Sequence, residues 1–239
     1  MRALSASELL DLWERGASRG PIGRALEMLS AAAPEIEAPH LVSIGRRDAL
    51  LLALRERTFG AAMQAVTSCS SCGEEIELSF AAADLGGAQE IAGELDVQIG
   101  AYRLRLRAPN SEDVAVALAS GLQEAEAALF DRCAEGVWRG DREIRARELP
   151  VEIASAAIER IAKADPHAEI ALAVTCPRCG SAERAIFDIV SFFWRELEAF
   201  VIRILREVHV LASAYGWDEA RILSMSATRR RCYLEMVEA

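Results

Sequence analysis

The residues in this 239-residue chain that could do chemistry by type and spacing are four of its six cysteines. They stand as Cys69-Ser-Ser-Cys72-Gly73 and Cys176-Pro-Arg-Cys179-Gly180. A CxxC turn directs two thiolates at one point about 2.3 Å from a metal, and two such turns complete a tetrahedral four-cysteine zinc site. The glycine that follows each second cysteine relieves the tight backbone as it leaves the metal. The lead-ins also recur, Ala65-Val66-Thr67-Ser68 against Ala173-Val174-Thr175. This pattern points to one structural Zn2+ closed by Cys69, Cys72, Cys176 and Cys179. Such a site has no open coordination position, so it serves as a scaffold and not as a Lewis acid.

Three other readings stand beside it. The pairs could be plain thiols, a redox-active CxxC, or two half-sites completed by other ligands. A thioredoxin-like motif belongs between a strand and a helix, whereas strand-like runs follow both knuckles here, at 75–80 and 184–189. The three histidines, His40, His167 and His209, have no knuckle spacing. The knuckles begin 107 residues apart (176 − 69), which is long for a zinc ribbon.

Periodicity predicts the elements that must position these thiols. Residues 1–60 read as helical: Leu9, Leu12 and Trp13 share a face, Gly20-Pro21 breaks the pattern, and a helix from Asp48 stops at Gly60. An insertion at about 84–165 separates the knuckles. It opens with a hairpin turning near Gly100, whose second arm puts Tyr102, Leu104 and Leu106 on one face and Arg103, Arg105 and Arg107 on the other. The arginine row reads as a solvated face or as a docking strip for an acidic partner.

Asn110 then caps a helix, and another follows near 124–134. A small hairpin turns at Gly140-Asp141; the Arg139-Gly140-Asp141 tripeptide there is a chance match to an integrin motif. Pro150 opens a helix with Ile153, Ala157, Ile158 and Ile161 on one side, and Asp165-Pro166 ends it. Beyond residue 190, Phe193, Leu197, Phe200, Val201, Ile204, Val208, Leu211 and Tyr215 recur at helical spacing, as a core face or a seat for a partner helix. The expected organisation is 1–60, 61–190 and 191–239. The fold class is α+β, mainly helical, with a small antiparallel sheet and a four-cysteine zinc-ribbon-like knot.

Composition narrows the function. A net charge of −10 and a pI near 5.0 oppose phosphate neutralisation, so no nucleic acid is expected. The Arg229–Arg231 run reads as a solvated or ion-paired helix face. The N-terminus has no signal-peptide pattern and no stretch is long and apolar enough for a membrane span, which predicts a cytoplasmic, reducing setting that favours metal over disulfide. Cys133 and Cys232 are expected to be buried as small hydrophobes. No nucleophile elbow, P-loop, GxGxxG or HExxH occurs, so no enzyme and no small-molecule substrate are expected.

Several stretches resemble the T4-like phage baseplate hub assembly proteins and their zinc-knuckle relatives in phage-tail-like contractile injection systems. They are 51–60 leading into Cys69–Gly73, Tyr102–Asp113, Ala164–Glu169 before Cys176–Gly180, Trp194–Glu198, and His209–Leu223 with Arg230–Leu234. The resemblance covers roughly 45–239. It implies a non-enzymatic assembly chaperone or baseplate component whose partners are baseplate, hub or other tail proteins, located in the cytoplasm or within a phage-tail-like particle. The alternative class is a zinc-ribbon regulator associated with nucleic acid; a thiol oxidoreductase is a third.

Overall fold

The computed structural model describes residues 1–85 and 93–238. The chain opens with α1 (Ala6–Gly16), α2 (Pro21–Ala32) and α3 (Ile44–Phe59). Ser5 and Glu8 form a reciprocal capping box on α1, and Pro21 supplies the fixed φ suited to a first helical turn of α2. A first hairpin follows, β1 (Ala62–Ser68) and β2 (Glu75–Ala81), with the knuckle Cys69–Cys72 at its tip. The insertion contains β3 (Glu94–Ile99), β4 (Tyr102–Arg107), α4 (Ser111–Ala119), α5 (Ala125–Cys133), β5 (Ala134–Arg139), β6 (Arg142–Glu143) and α6 (Val151–Ala164). A second hairpin, β7 (Ile170–Thr175) and β8 (Ala182–Phe187), carries Cys176–Cys179. The chain ends with α7 (Ile189–Tyr215), α8 (Glu219–Leu223) and α9 (Ala227–Glu238).

The main core lies between α1, α2, α3 and the first half of α7. Leu12, Met28, Leu29, Leu51, Leu54, Phe193 and Leu197 are fully buried in it. Each such side chain contributes about 1.5–3 kcal/mol of burial. The feet of both hairpins enter the same core through Met63, Ile170 and Phe187. Arg55 fixes the exit of α3: its guanidinium grips Glu196 on α7 through two bonds of 2.7 and 2.6 Å and donates to the Gly60 carbonyl at 2.7 Å. Gly60 has φ +96, a backbone that allows the chain to turn directly into β1.

The hairpins are structural copies offset by 107 residues. Met63 pairs with Phe80 and Ile170 with Phe187; Ser68 pairs with Glu75 and Thr175 with Ala182. Phe80 and Phe187, equivalent positions of the two copies, meet edge to face at 5.2 Å. The hairpins therefore touch at their feet as well as at their tips.

The insertion has its own core of Leu104, Leu106, Cys133, Val137, Leu149, Ala157 and Ile161, under a sheet ordered β3-β4-β5-β6. It docks on the N-terminus of α3, where helical N–H groups lack partners within the helix. The Ile44 N–H donates to the Pro109 carbonyl and the Gly45 N–H to Asp165 Oδ2, both at 2.9 Å. The loop before α4 and the exit of the insertion are thus clamped at one helix end. A side chain at position 45 would collide, since a Cβ there would lie 1.9 Å from Asp165 Oδ1.

Sequence expectations hold for the α+β class, the caps at Asn110 and Asp218, and the turns at Gly100, Gly140 and Gly216. The small antiparallel sheet is divided into three: two hairpins and the four-stranded sheet. Helix α3 begins at Ile44, capped by Ser43, and not at Asp48. The second post-knuckle strand ends at Phe187, because Asp188 accepts from the Val190 and Ser191 N–H groups and starts α7. Cys133 is buried as expected, but Cys232 is exposed. The inward side of α9 is taken by Arg230, Tyr233 and Leu234, which leaves Cys232 pointing out. Of the expected insertion at 84–165, residues 86–92 lie outside the described residues.

Gly45→Ala should destabilise the chain by about 1–3 kcal/mol through overpacking at this seam, measured by denaturant unfolding. Asp165 adds a pH dependence. Burial pushes its carboxyl up, partly offset by the Gly45 N–H, so the folded state holds the proton more tightly than the unfolded state. That contribution is full below the ordinary carboxylate range and fades as pH rises through the raised value. Asp165→Asn, which can still accept from Gly45, should flatten this loss above the ordinary carboxylate range; an unchanged pH profile would contradict it.

Candidate metal centre

Each knuckle is set by the same two hydrogen bonds. The Cys69 N–H donates to the Glu74 carbonyl at 2.8 Å and the Gly73 N–H to the Cys69 carbonyl at 2.9 Å. In the second copy, Cys176 donates to Ser181 at 2.9 Å and Gly180 to Cys176 at 3.0 Å. Gly73 and Gly180 share φ +73, a left-handed turn that favours glycine. The chain therefore builds one thiol-presenting turn twice.

The structure brings all four predicted cysteines together, with their sulfurs within 4.8 Å of one another. Cys69 Sγ lies 3.7 Å from Cys179 Sγ, and Cys72 Sγ lies 3.6 Å from Cys176 Sγ. A tetrahedron with metal–sulfur bonds of about 2.3 Å has edges of about 3.8 Å. A disulfide needs about 2.05 Å, and all four are free thiols. The spacing is that of ligands around one ion, so the residues present fit a metal. Among the described residues no histidine joins the group.

Beneath the sulfurs, Ile76 and Val174 form a small apolar patch with Cys69 and Cys176, joined by Leu78, Leu172 and Ala185. Cys69 and Cys176 are buried; Cys72 and Cys179 face solvent. Polar contacts tie the two tips together. Ser70 donates to Glu183, Ser71 meets Ser181 at 3.1 Å, and Arg178 reaches Glu74 at 3.2 Å.

Electrostatics explains why the cluster suits a cation. The backbone N–H of Cys179 pulls the Cys176 thiol down to about 7, so one thiolate forms readily. The Glu74 N–H lowers Cys72, but loss of solvent and the three neighbouring sulfurs outweigh it and push that thiol up to about 12. The last negative charge is thus strongly opposed by the others. A divalent ion at the centre removes that opposition, and all four cysteines can then ligate as thiolates.

A model of the T4 bacteriophage base plate protein family matches residues 22–194 of this chain, well over half of its length. The chain belongs to that family. The match spans both knuckles and the insertion and ends in the first part of α7. No curated protein and no solved structure matches the chain significantly. Family membership implies contacts with other baseplate or tail proteins in a structural or assembly role. No helix among the described residues is long and apolar enough to cross a membrane.

The expected arginine strip is engaged within the chain. Arg103 stacks over Trp138 at 4.5 Å, Arg105 pairs with Asp96 at 3.5 Å, and Arg107 bonds Asp113 at 3.0 Å and Glu135 at 3.3 Å. In the Arg229–Arg231 run, Arg230 is buried against Glu207 at 2.9 Å, while its two neighbours are exposed. Sequence reasoning treated Asp165 only as a helix stop and missed its bond to Gly45. The one signal was Gly45 itself, a glycine within a helix that needs no bend.

Cys69→Ser and Cys176→Ser, one from each knuckle, should be equally damaging, because metal-binding energy at such a site is folding energy. At about 2–4 °C per kcal/mol for a chain of this size, a loss of several kcal/mol lowers Tm by about 10 °C or more. A strong chelator should bring the wild type to the same Tm. A variant that melts with the wild type would remove the shared site.

Proposed function

We propose that this chain is a non-enzymatic component or assembly factor of the baseplate of a phage-tail-like contractile injection system, braced by one structural Zn2+. The observation that carries the reading is the baseplate-family match across residues 22–194, which encloses the whole knot. Cys69, Cys72, Cys176 and Cys179 would hold the ion. Zinc suits a closed, four-thiolate, tetrahedral donor set with no redox demand. The organising stretches are 1–60, 61–190 and 191–239, with the insertion at about 84–165 held between the two arms of the knot. In this reading the chain is made and folded in the reducing cytoplasm, where the thiolates stay available to metal.

The likeness to hub assembly proteins suggests two roles, a permanent part of the particle or a chaperone that leaves before completion. The nucleic-acid alternative is disfavoured by the net charge of −10 and by arginines already engaged with the chain's own acids and rings. Quantitative mass spectrometry of purified contractile particles, scaled to the sheath and hub proteins, tests the proposal. A fixed ratio per particle is expected for a component. Absence from particles with recovery on an unassembled hub protein is expected for a chaperone. Absence from both would overturn the proposed function.

A further inference from the structure

Two sulfur contacts run between the knuckles: Cys69 to Cys179 at 3.7 Å and Cys72 to Cys176 at 3.6 Å. They use all four sulfurs once. Each pair joins one buried thiol, Cys69 or Cys176, to one exposed thiol, Cys179 or Cys72. Contacts that need no ion also join the two hairpins, Ser71–Ser181 and Arg178–Glu74 at the tips and Phe80 against Phe187 at the feet.

We propose that peroxide converts the metal knot into two cross-knuckle disulfides, Cys69–Cys179 and Cys72–Cys176, which release the metal and keep the hairpins joined. The proposal rests on the four-thiolate metal reading above. The exposed thiolate of Cys179 or Cys72 attacks one oxygen of hydrogen peroxide, breaks the O–O bond, becomes a sulfenic acid and releases hydroxide. The buried thiolate of Cys69 or Cys176 then attacks the sulfenic sulfur, forms the S–S bond and releases a second hydroxide. Each peroxide is reduced to two hydroxides while two thiolates are oxidised to one disulfide. Two rounds consume two peroxides and free one divalent ion, which has lost every thiolate ligand.

The crosslinks bridge residues 110 and 104 positions apart, so the covalent form closes the same long loop that the metal closes. Oxidation thus exchanges a reversible brace for a covalent one between the same two hairpins. A chain folded with metal in a reducing compartment would keep its architecture in an oxidising one. A within-knuckle pairing, Cys69–Cys72 and Cys176–Cys179, would instead sever the brace.

The test uses the full chain carrying Cys232→Ser, which removes the exposed thiol outside the knot. Bound zinc is measured first, then two equivalents of hydrogen peroxide are added and released zinc is followed with a chromogenic chelator. Non-reducing trypsin digestion, with fragment-ion sequencing of the linked peptides between Cys69 and Cys72, reads the pairing, because cleavage after Arg178 separates Cys176 (peptide 164–178) from Cys179 (peptide 179–184), while peptide 58–103 holds Cys69 and Cys72. The expected result is release of one zinc per chain, peptide 58–103 linked to both others, and a Tm no longer lowered by chelator.

Peptide 164–178 linked only to 179–184, Cys69 joined to Cys176 in place of Cys179, or four thiols left unpaired, would overturn the proposal while leaving the metal reading intact. Untreated protein without bound metal would overturn the metal reading, and this proposal with it. The variant Cys72→Ser/Cys176→Ser, which keeps only the cross pair Cys69 and Cys179, should form its intramolecular disulfide faster than Cys176→Ser/Cys179→Ser, which keeps only Cys69 and Cys72. Equal or reversed rates would count against cross-pairing.

Discussion

Four sulfurs within 4.8 Å cannot all carry charge unless a cation sits among them, and this constraint orders the rest of the molecule. Beneath the sulfurs the hairpins share only a small apolar patch, centred on Ile76 and Val174, beside the polar contacts of the tips. An ion bound by the four sulfurs would add a tie between the tips. The feet depend on the main core, through Met63, Ile170, Phe187 and the Phe80–Phe187 contact. Between tip and foot the 107-residue offset is kept in register, so two distant stretches of chain meet as copies. The insertion leaves from one copy and returns to the other, and its second anchor is the end of α3, where Pro109 and Asp165 accept two helical N–H groups.

Much of this was legible in the sequence wherever the signal was local. The CxxC-Gly turns, the strict alternation of Tyr102–Arg107, the Asn110 cap and the stop at Gly216 depend on a few neighbouring residues, and the structure reproduces them. The sharing of one site by both knuckles was inferred from ligand chemistry, and geometry now brings all four sulfurs together. Long-range polar partners were not legible. Nothing in the string Asp165-Pro166 distinguishes a helix stop from a carboxylate that reaches Gly45, 120 residues away. The arginines of β4 read as a solvated face or a docking strip, and their partners were not legible because Trp138, Asp96 and Glu135 come from other strands. Cys232 shows the limit of residue-type averages: a cysteine is usually buried, but on α9 the inward positions had been taken by Arg230 and its neighbours.

The functional reading follows the same division. Membership of a baseplate family is carried by the match over 22–194, and a closed thiolate site adds rigidity without adding catalysis. A part that must hold its shape among many contacts would gain from such a brace, since one bound ion would tie together the two hairpins that flank an insertion with its own core. The segment beyond residue 194, with the stacked Tyr215 and Trp217 against Tyr233, lies outside the residues matched.

The central claim is that both knuckles share one ion, and titration of the reduced, metal-free chain with Co2+ tests it most directly. The ligand-field absorption of tetrahedral cobalt should rise to a single endpoint at one equivalent, with the sulfur charge-transfer band of a four-thiolate site. It should be lost when either knuckle is replaced by serines. An endpoint at two equivalents, or a tetrahedral spectrum that survives Cys176→Ser/Cys179→Ser, would contradict the shared site.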